Sequence, residues 1–138
     1  MYPEELVRPM RAELTQHGFQ ELKNKDEVDQ AFSDQKGVAV LVVNSVCGCA
    51  AGAARPCVVM SLDGESKPDH LLTVFAGQDA EATAKAREYL MPYPPSSPAI
   101  GLFKDGELVH MIERHHIEGR SAQLIAEHLK MAYNEMAQ

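Results

Sequence analysis

Residues 38–43, Val-Ala-Val-Leu-Val-Val, are apolar without alternation, the pattern of a central strand covered on both faces. Ahead of them apolar positions recur at helical spacing. Leu6, Val7, Met10 and Leu14 share one face, with Gly18 as a C-terminal stop. Asn24 is placed to cap a second short helix with Glu27 three residues on. Val28, Ala31 and Phe32 form its apolar stripe and Gly37 ends it. Helical signal resumes after Gly48 and runs to about Leu62, where the internal Pro56 removes a backbone donor and predicts a kink. Leu71-Leu72-Thr73-Val74-Phe75-Ala76 reads as the next strand. Gly77 breaks it, and Asp79 is placed to cap a helix from Ala80 to about Leu90. Residues 92–98, Pro-Tyr-Pro-Pro-Ser-Ser-Pro, are too proline-rich for regular structure. Ala99–Lys104 and Glu107–Ile112 flank Asp105-Gly106, a type I′ hairpin signal. The last helix starts near Ser121, and Leu124, Ile125, Leu129, Ala132, Tyr133 and Met136 are its expected buried face.

The order is two helices followed by β-α-β-α-β-β-α. A β-α-β unit is a right-handed parallel crossover and a tight hairpin is antiparallel. The expectation is an α/β fold in three layers: a mixed four-stranded β-sheet flanked by helices, with two extra N-terminal helices. That is the layout of thioredoxin-like proteins. At 138 residues, with no internal repeat, low-complexity tract or linker, residues 1–138 are expected to form a single domain.

Charge narrows the function classes. The net charge is −7, with 13 basic against 20 acidic residues and no dense Lys/Arg cluster, which disfavours nucleic-acid and anionic-membrane partners. No apolar stretch approaches the ~20 residues that span a bilayer. The N-terminus, Met1-Tyr2-Pro3-Glu4-Glu5-Leu6, lacks a basic region followed by an apolar one, so a cytoplasmic location is expected. Three cysteines, two of them one residue apart, do not make a secreted disulfide framework.

Those two are Cys47 and Cys49, in Cys47-Gly48-Cys49, between the strand at 38–43 and the small-residue segment Ala50-Ala51-Gly52-Ala53-Ala54. A buried strand that delivers thiols to the first turn of a helix suits thiol–disulfide chemistry. The thiolate is the reactive species, and free N–H groups at a helix start favour it. Cys47 is therefore expected to be the exposed nucleophile of lowered pKa, helped by the N–H groups of Cys49 and Ala50. Cys49, one step into the helix, is expected to be less exposed and to resolve. Gly48 and the small residues after it leave room for a bulky mixed disulfide, and close backbone approach is the expected reason for Gly48. Closing a ring between positions i and i+2 departs from preferred disulfide geometry, which favours mixed-disulfide chemistry over a stable internal bond. Cys57 lies about three helical turns from Cys47, too far for pairing, and is expected to be buried.

Five blocks resemble the bacilliredoxin family of thioredoxin-like proteins. They are residues 44–56 (Asn-Ser-Val-Cys-Gly-Cys-Ala-Ala-Gly-Ala-Ala-Arg-Pro), 74–79 (Val-Phe-Ala-Gly-Gln-Asp), 93–98 (Tyr-Pro-Pro-Ser-Ser-Pro), 102–110 (Leu-Phe-Lys-Asp-Gly-Glu-Leu-Val-His) and 113–120 (Glu-Arg-His-His-Ile-Glu-Gly-Arg). The resemblance implies a thiol–disulfide oxidoreductase that removes bacillithiol from mixed disulfides on client proteins. Bacillithiol is then a co-substrate, and no resident cofactor or metal is implied. Some members are described as general disulfide isomerases or reductases. It also implies a cis Pro98 at the start of the strand facing the thiols, with Ser97 offering backbone groups to substrate. Two departures stand out: Cys57 after Pro56, and a C-terminus of Glu135-Met136-Ala137-Gln138 without the terminal cysteine of some members, so no relay through such a thiol is expected.

The block Glu113-Arg114-His115-His116 has two readings. In a thioredoxin-like layout it borders Cys47, where Arg114 or His115 stabilises a thiolate or leaving thiol. Otherwise it is a solvated turn ahead of a helix. For the thiol pair itself, a metal-binding module and a redox-sensing interaction domain stand beside the enzyme. No second Cys-x-x-Cys or His-x-His completes a four-ligand site.

Overall fold

The computed structural model describes residues 1–137. Along the chain run α1 (Glu4–Thr15), β1 (Gln20–Glu21), α2 (Lys25–Phe32), β2 (Val38–Asn44), and a π-helical turn (Ala50–Ala54) continuing into α3 (Arg55–Ser61). Then come β3 (His70–Phe75), α4 (Ala80–Tyr89), β4 (Ala99–Lys104), β5 (Glu107–Ile112), α5 (Arg114–Ile117) and α6 (Ala122–Met136). The sheet order is β1-β3-β2-β4-β5, with β2 parallel to β3 and antiparallel to β4. β2 is buried along its whole length, as its unbroken apolar run requires. Its alternate side chains feed two cores. Val38, Val40 and Val42 join Leu14, Val58, Leu129 and Tyr133, while Ala39, Leu41 and Val43 join Leu22, Phe32, Val74 and Ala86.

Five strands replace the expected four. β1 has two residues, paired parallel with β3 at Leu72 and Thr73. Two residues carry no alternation, so only the long-range ladder reveals them. The closing hairpin has the expected turn: Asp105 (φ 50°) and Gly106 (φ 86°) both lie in the left-handed region that type I′ requires.

Helix faces differ in detail. On α6, Leu124 is 60% exposed, and Ala122, Ile125, Ala126, Leu129 and Tyr133 face the core. Ser121 does cap this helix, accepting the Leu124 N–H. On α1 the exposed Leu6 leaves the face, and Arg11, only 6% exposed, takes a buried position beside Val7 and Leu14. Its guanidinium reaches Glu4, Glu21 and Asp79 at 2.6–2.8 Å. Asp79 therefore spends its carboxylate on Arg11 instead of capping α4. Pro56 makes itself felt one turn early: the Arg55 N–H reaches back to the Ala50 carbonyl, a widened turn just ahead of the missing donor.

Candidate active site

The turn from β2 into the helix is braced before it reaches the thiols. Asn44 Oδ1 accepts from the Ser45 N–H and from Arg55 Nη1, and Asn44 Nδ2 donates to the Met10 carbonyl. Arg55, 2% exposed, also donates to the Ser45 carbonyl, and its Nε lies 3.1 Å from Glu13 without hydrogen-bond alignment. Ser45 Oγ then accepts the Cys47 N–H, and the Cys47 carbonyl receives the Ala50 and Ala51 N–H groups that begin the helix. Strand end, turn and helix are thus one hydrogen-bonded unit.

The Sγ atoms of Cys47 and Cys49 are 2.8 Å apart, both as free thiols. Burial pushes the Cys47 thiol up. Hydrogen bonds from Cys49, Ser45 and the backbone N–H groups of Ala50 and Cys49 overcome that and bring it down to about 7. Burial pushes the Cys49 thiol up, and its bond to Cys47 and the neighbouring charge push it further, with Arg114 pulling the other way. Both cysteines are partly buried, so hydrogen bonding, and not the expected difference in exposure, separates them. Chemically, the pair is a thiol that ionises near neutrality in contact with a second thiol pushed toward the protonated form. Cys57 is buried, donates to the Ala54 carbonyl, and is raised by burial to about 12.

A groove of about 300 Å³ opens beside Cys47, and Ser45, Ser97 and Arg114 share it. The Ser97-Pro98 bond is cis, as is Met91-Pro92, which the sequence did not suggest. Pro98 itself is buried. Arg114 is exposed on α5, donates Nη1 to the Ser97 carbonyl, and pairs with Glu118. Of the two readings of residues 113–116, Arg114 follows the first. His115 follows the second: it is exposed, with its ring 4.0 Å from that of His116, and lies outside the groove. Gly48 is exposed, with open space where a Cβ would stand, so the fold imposes no close approach there.

Arg55, Ser45, Tyr2 and Arg87 reach the site or its support without having been singled out from the sequence. For Arg55 a signal existed: a lone charge among small and apolar residues of a buried helix. Ligand-capable atoms of Glu113, His115 and His116 also lie within 4.8 Å of one another, a group that includes neither Cys47 nor Cys49. A larger cavity of about 420 Å³ between β5 and α6 holds His110, His116 and His128 and contains neither thiol. His110 is half-buried, and its Nε2 lies 2.9 Å from that of His128. Among the described residues, no helix is long and apolar enough to cross a membrane.

Residues 2–137 match the family described as disulphide isomerase. A bacilliredoxin of Cytophaga hutchinsonii is 62% identical over 136 residues, 99% of this chain and 100% of the relative. A bacilliredoxin of Halalkalibacterium halodurans is 56% identical over 134 residues, 97% of this chain and 93% of the relative. Among solved structures, a mutant thioredoxin from Halobacterium salinarum superposes with a TM-score of 0.60 at 17% identity, covering 88% of this chain and 93% of that one. Oxidised thioredoxin O2 from Arabidopsis thaliana gives 0.59 at 17% identity, covering 86% and 96%. At such identities the structural likeness speaks for the fold alone.

Proposed function

The chain belongs to the disulphide isomerase family whose curated relatives are named bacilliredoxins, and from that premise we propose that this thiol–disulfide oxidoreductase strips bacillithiol from client proteins. The observation that carries the reading is the Cys47 thiol near 7 in contact with a Cys49 thiol held protonated. A nucleophile poised near ambient pH beside a second thiol is what stepwise exchange needs.

In the first step the Cys47 thiolate attacks the bacillithiol sulfur of the mixed disulfide. A Cys47–bacillithiol bond forms, the client–bacillithiol bond breaks, and the client leaves as a thiolate that takes a proton. In the second, Cys49 loses its proton and attacks Cys47, releasing bacillithiol and closing a Cys47–Cys49 disulfide. Alternatively, a second bacillithiol attacks the Cys47-bound one and leaves Cys47 as a thiolate. A thiol reductant returns the closed disulfide to the dithiol. Ser97, next to Pro98, offers backbone groups to the bound disulfide, Arg114 holds the Ser97 carbonyl beside Cys47, and the open space at Gly48 admits the client. His115 has no part in this reading. The partners are bacillithiolated client proteins and the free thiol, in the cytoplasm, with no resident cofactor required. The family description also supports a general isomerase or reductase acting on client disulfides by the same first attack.

Intact mass after incubation with a bacillithiolated client separates these. Cys49→Ala is expected to gain one bacillithiol, Cys47→Ala none, and the client to be freed. An unmodified Cys49→Ala beside a client that stays blocked would overturn de-bacillithiolation. Turnover of client disulfides alone would then favour the isomerase.

A further inference from the structure

Arg87 stands apart from the buried arginines Arg11 and Arg55. Arg11 meets three carboxylates, and Arg55 meets Asn44, the Ser45 carbonyl and Glu13. Arg87, in the last turn of α4, is half-buried with its Nε shielded from solvent. Among the described residues its side chain has neither a hydrogen-bond nor an ion-pair partner, and it lines the groove beside Cys47. Burial alone acts on it, pulling its pKa down. A half-buried guanidinium whose Nε is shielded and unpaired is short of an acceptor, and an arriving carboxylate can receive two parallel N–H donors from its planar fork. The charge across the groove is of the same sign, because Arg114 flanks Cys47 as well, although it is already engaged by Glu118 and the Ser97 carbonyl. In a chain of net charge −7, two cationic side chains in one groove of about 300 Å³ make a local site for an anion. That volume is at the lower end for ligand pockets, the size for a small molecule and not for a folded partner.

We propose that Arg87 binds a carboxylate on the small thiol whose sulfur Cys47 attacks, so that the enzyme selects anionic low-molecular-weight thiols over neutral or cationic ones. The assignment rests on the small-thiol transfer proposed above. It gives that reaction a specificity-determining residue outside the Cys-Gly-Cys segment. The carboxylate is held while the disulfide sulfur is presented to Cys47, so charge selection acts on the transfer step and not on resetting by a reductant.

The test is single-turnover transfer to Cys47 in a Cys49→Ala background, followed by intact mass. One client protein is loaded with mercaptosuccinate, mercaptoethanesulfonate, thioglycerol or cysteamine. Each rate is divided by the same mixed disulfide's rate with free dithiothreitol, which removes differences in intrinsic reactivity. Transfer from the mercaptosuccinate form is expected to exceed that from the thioglycerol form by about ten- to a hundredfold, the range of a charge-assisted hydrogen bond. Cysteamine should be slowest. The advantage should shrink with added salt, a readout that needs no variant. Arg87→Gln should bring the mercaptosuccinate-to-thioglycerol ratio toward one and Arg87→Lys should restore part of it. A purely structural role would slow all donors alike and keep the ratio. A sulfonate as good as the carboxylate, or a ratio near one in the Arg87-containing protein, would overturn carboxylate recognition while leaving transfer standing. No transfer from any donor would overturn the small-thiol reading itself, and this assignment with it.

Discussion

At the scale of residues, hydrogen bonding sets the two thiols apart. Cys47 accepts from Cys49, Ser45 and two backbone N–H groups, and its thiol sits near 7 despite partial burial. Alkylation of Cys47 by iodoacetamide should therefore rise through a midpoint near pH 7, where the thiol becomes thiolate, and level off above pH 8. Ser45→Ala removes one of those hydrogen bonds and should move the midpoint upward. A midpoint at the ordinary thiol value in both proteins would contradict the site's electrostatics. In the same experiment Cys57, raised to about 12 by burial, should stay unlabelled until the protein is unfolded. The Cys-Gly-Cys segment after a buried strand was legible because thiol reactivity at a helix start is a local property of the chain. The reason for Gly48 was not, since it turns on what surrounds a Cβ, and there nothing does.

At the scale of elements, the junction between β2 and α3 depends on a single buried side chain. Arg55 joins Asn44, the Ser45 carbonyl and Glu13, which lie on β2, the turn and α1. Arg55→Met keeps much of the volume but leaves the Asn44 and Ser45 oxygens short of a donor. It should cost about 1–3 kcal/mol in chemical denaturation and loosen the turn that carries Cys47. Glu13→Gln touches a half-exposed pair and should cost less than about 1 kcal/mol. Equal losses would mean that the ion pair, and not the strand-to-helix brace, is what Arg55 supplies. Strands β4 and β5 were readable to the residue because Asp105-Gly106 dictates its own turn. The π-helical turn at Ala50–Ala54 was only half readable: Pro56 announces a lost hydrogen bond, but where the helix widens around it depends on what packs against it.

At the scale of the whole molecule, Arg11 ties α1, β1 and the start of α4 together through Glu4, Glu21 and Asp79. The hydrogen bond from Arg11, then that from Gln78, holds the Glu4 carboxyl below its ordinary value of 4.5. A carboxyl lowered on folding contributes stability above its unfolded value, and the contribution is lost as pH falls through the folded one. Glu4→Gln should therefore lower the thermal midpoint slightly at pH 7, and the gap should close on acidification below about 4.5. A gap unchanged at pH 3 would show that Glu4 acts by packing and not by charge. The amino-acid sequence by itself determined the alternation of helices and strands, the central strand, the hairpin and the thiol pair. Each is set by periodicity, turn chemistry or neighbours a few residues away. The fifth strand, the burial of Arg11, the brace at Arg55, and the meeting of Arg87, Arg114 and Ser97 beside Cys47 were decided only by the tertiary structure. Their partners mostly lie on other elements of the chain, and a buried charge reads as a surface residue until the fold supplies the groups around it.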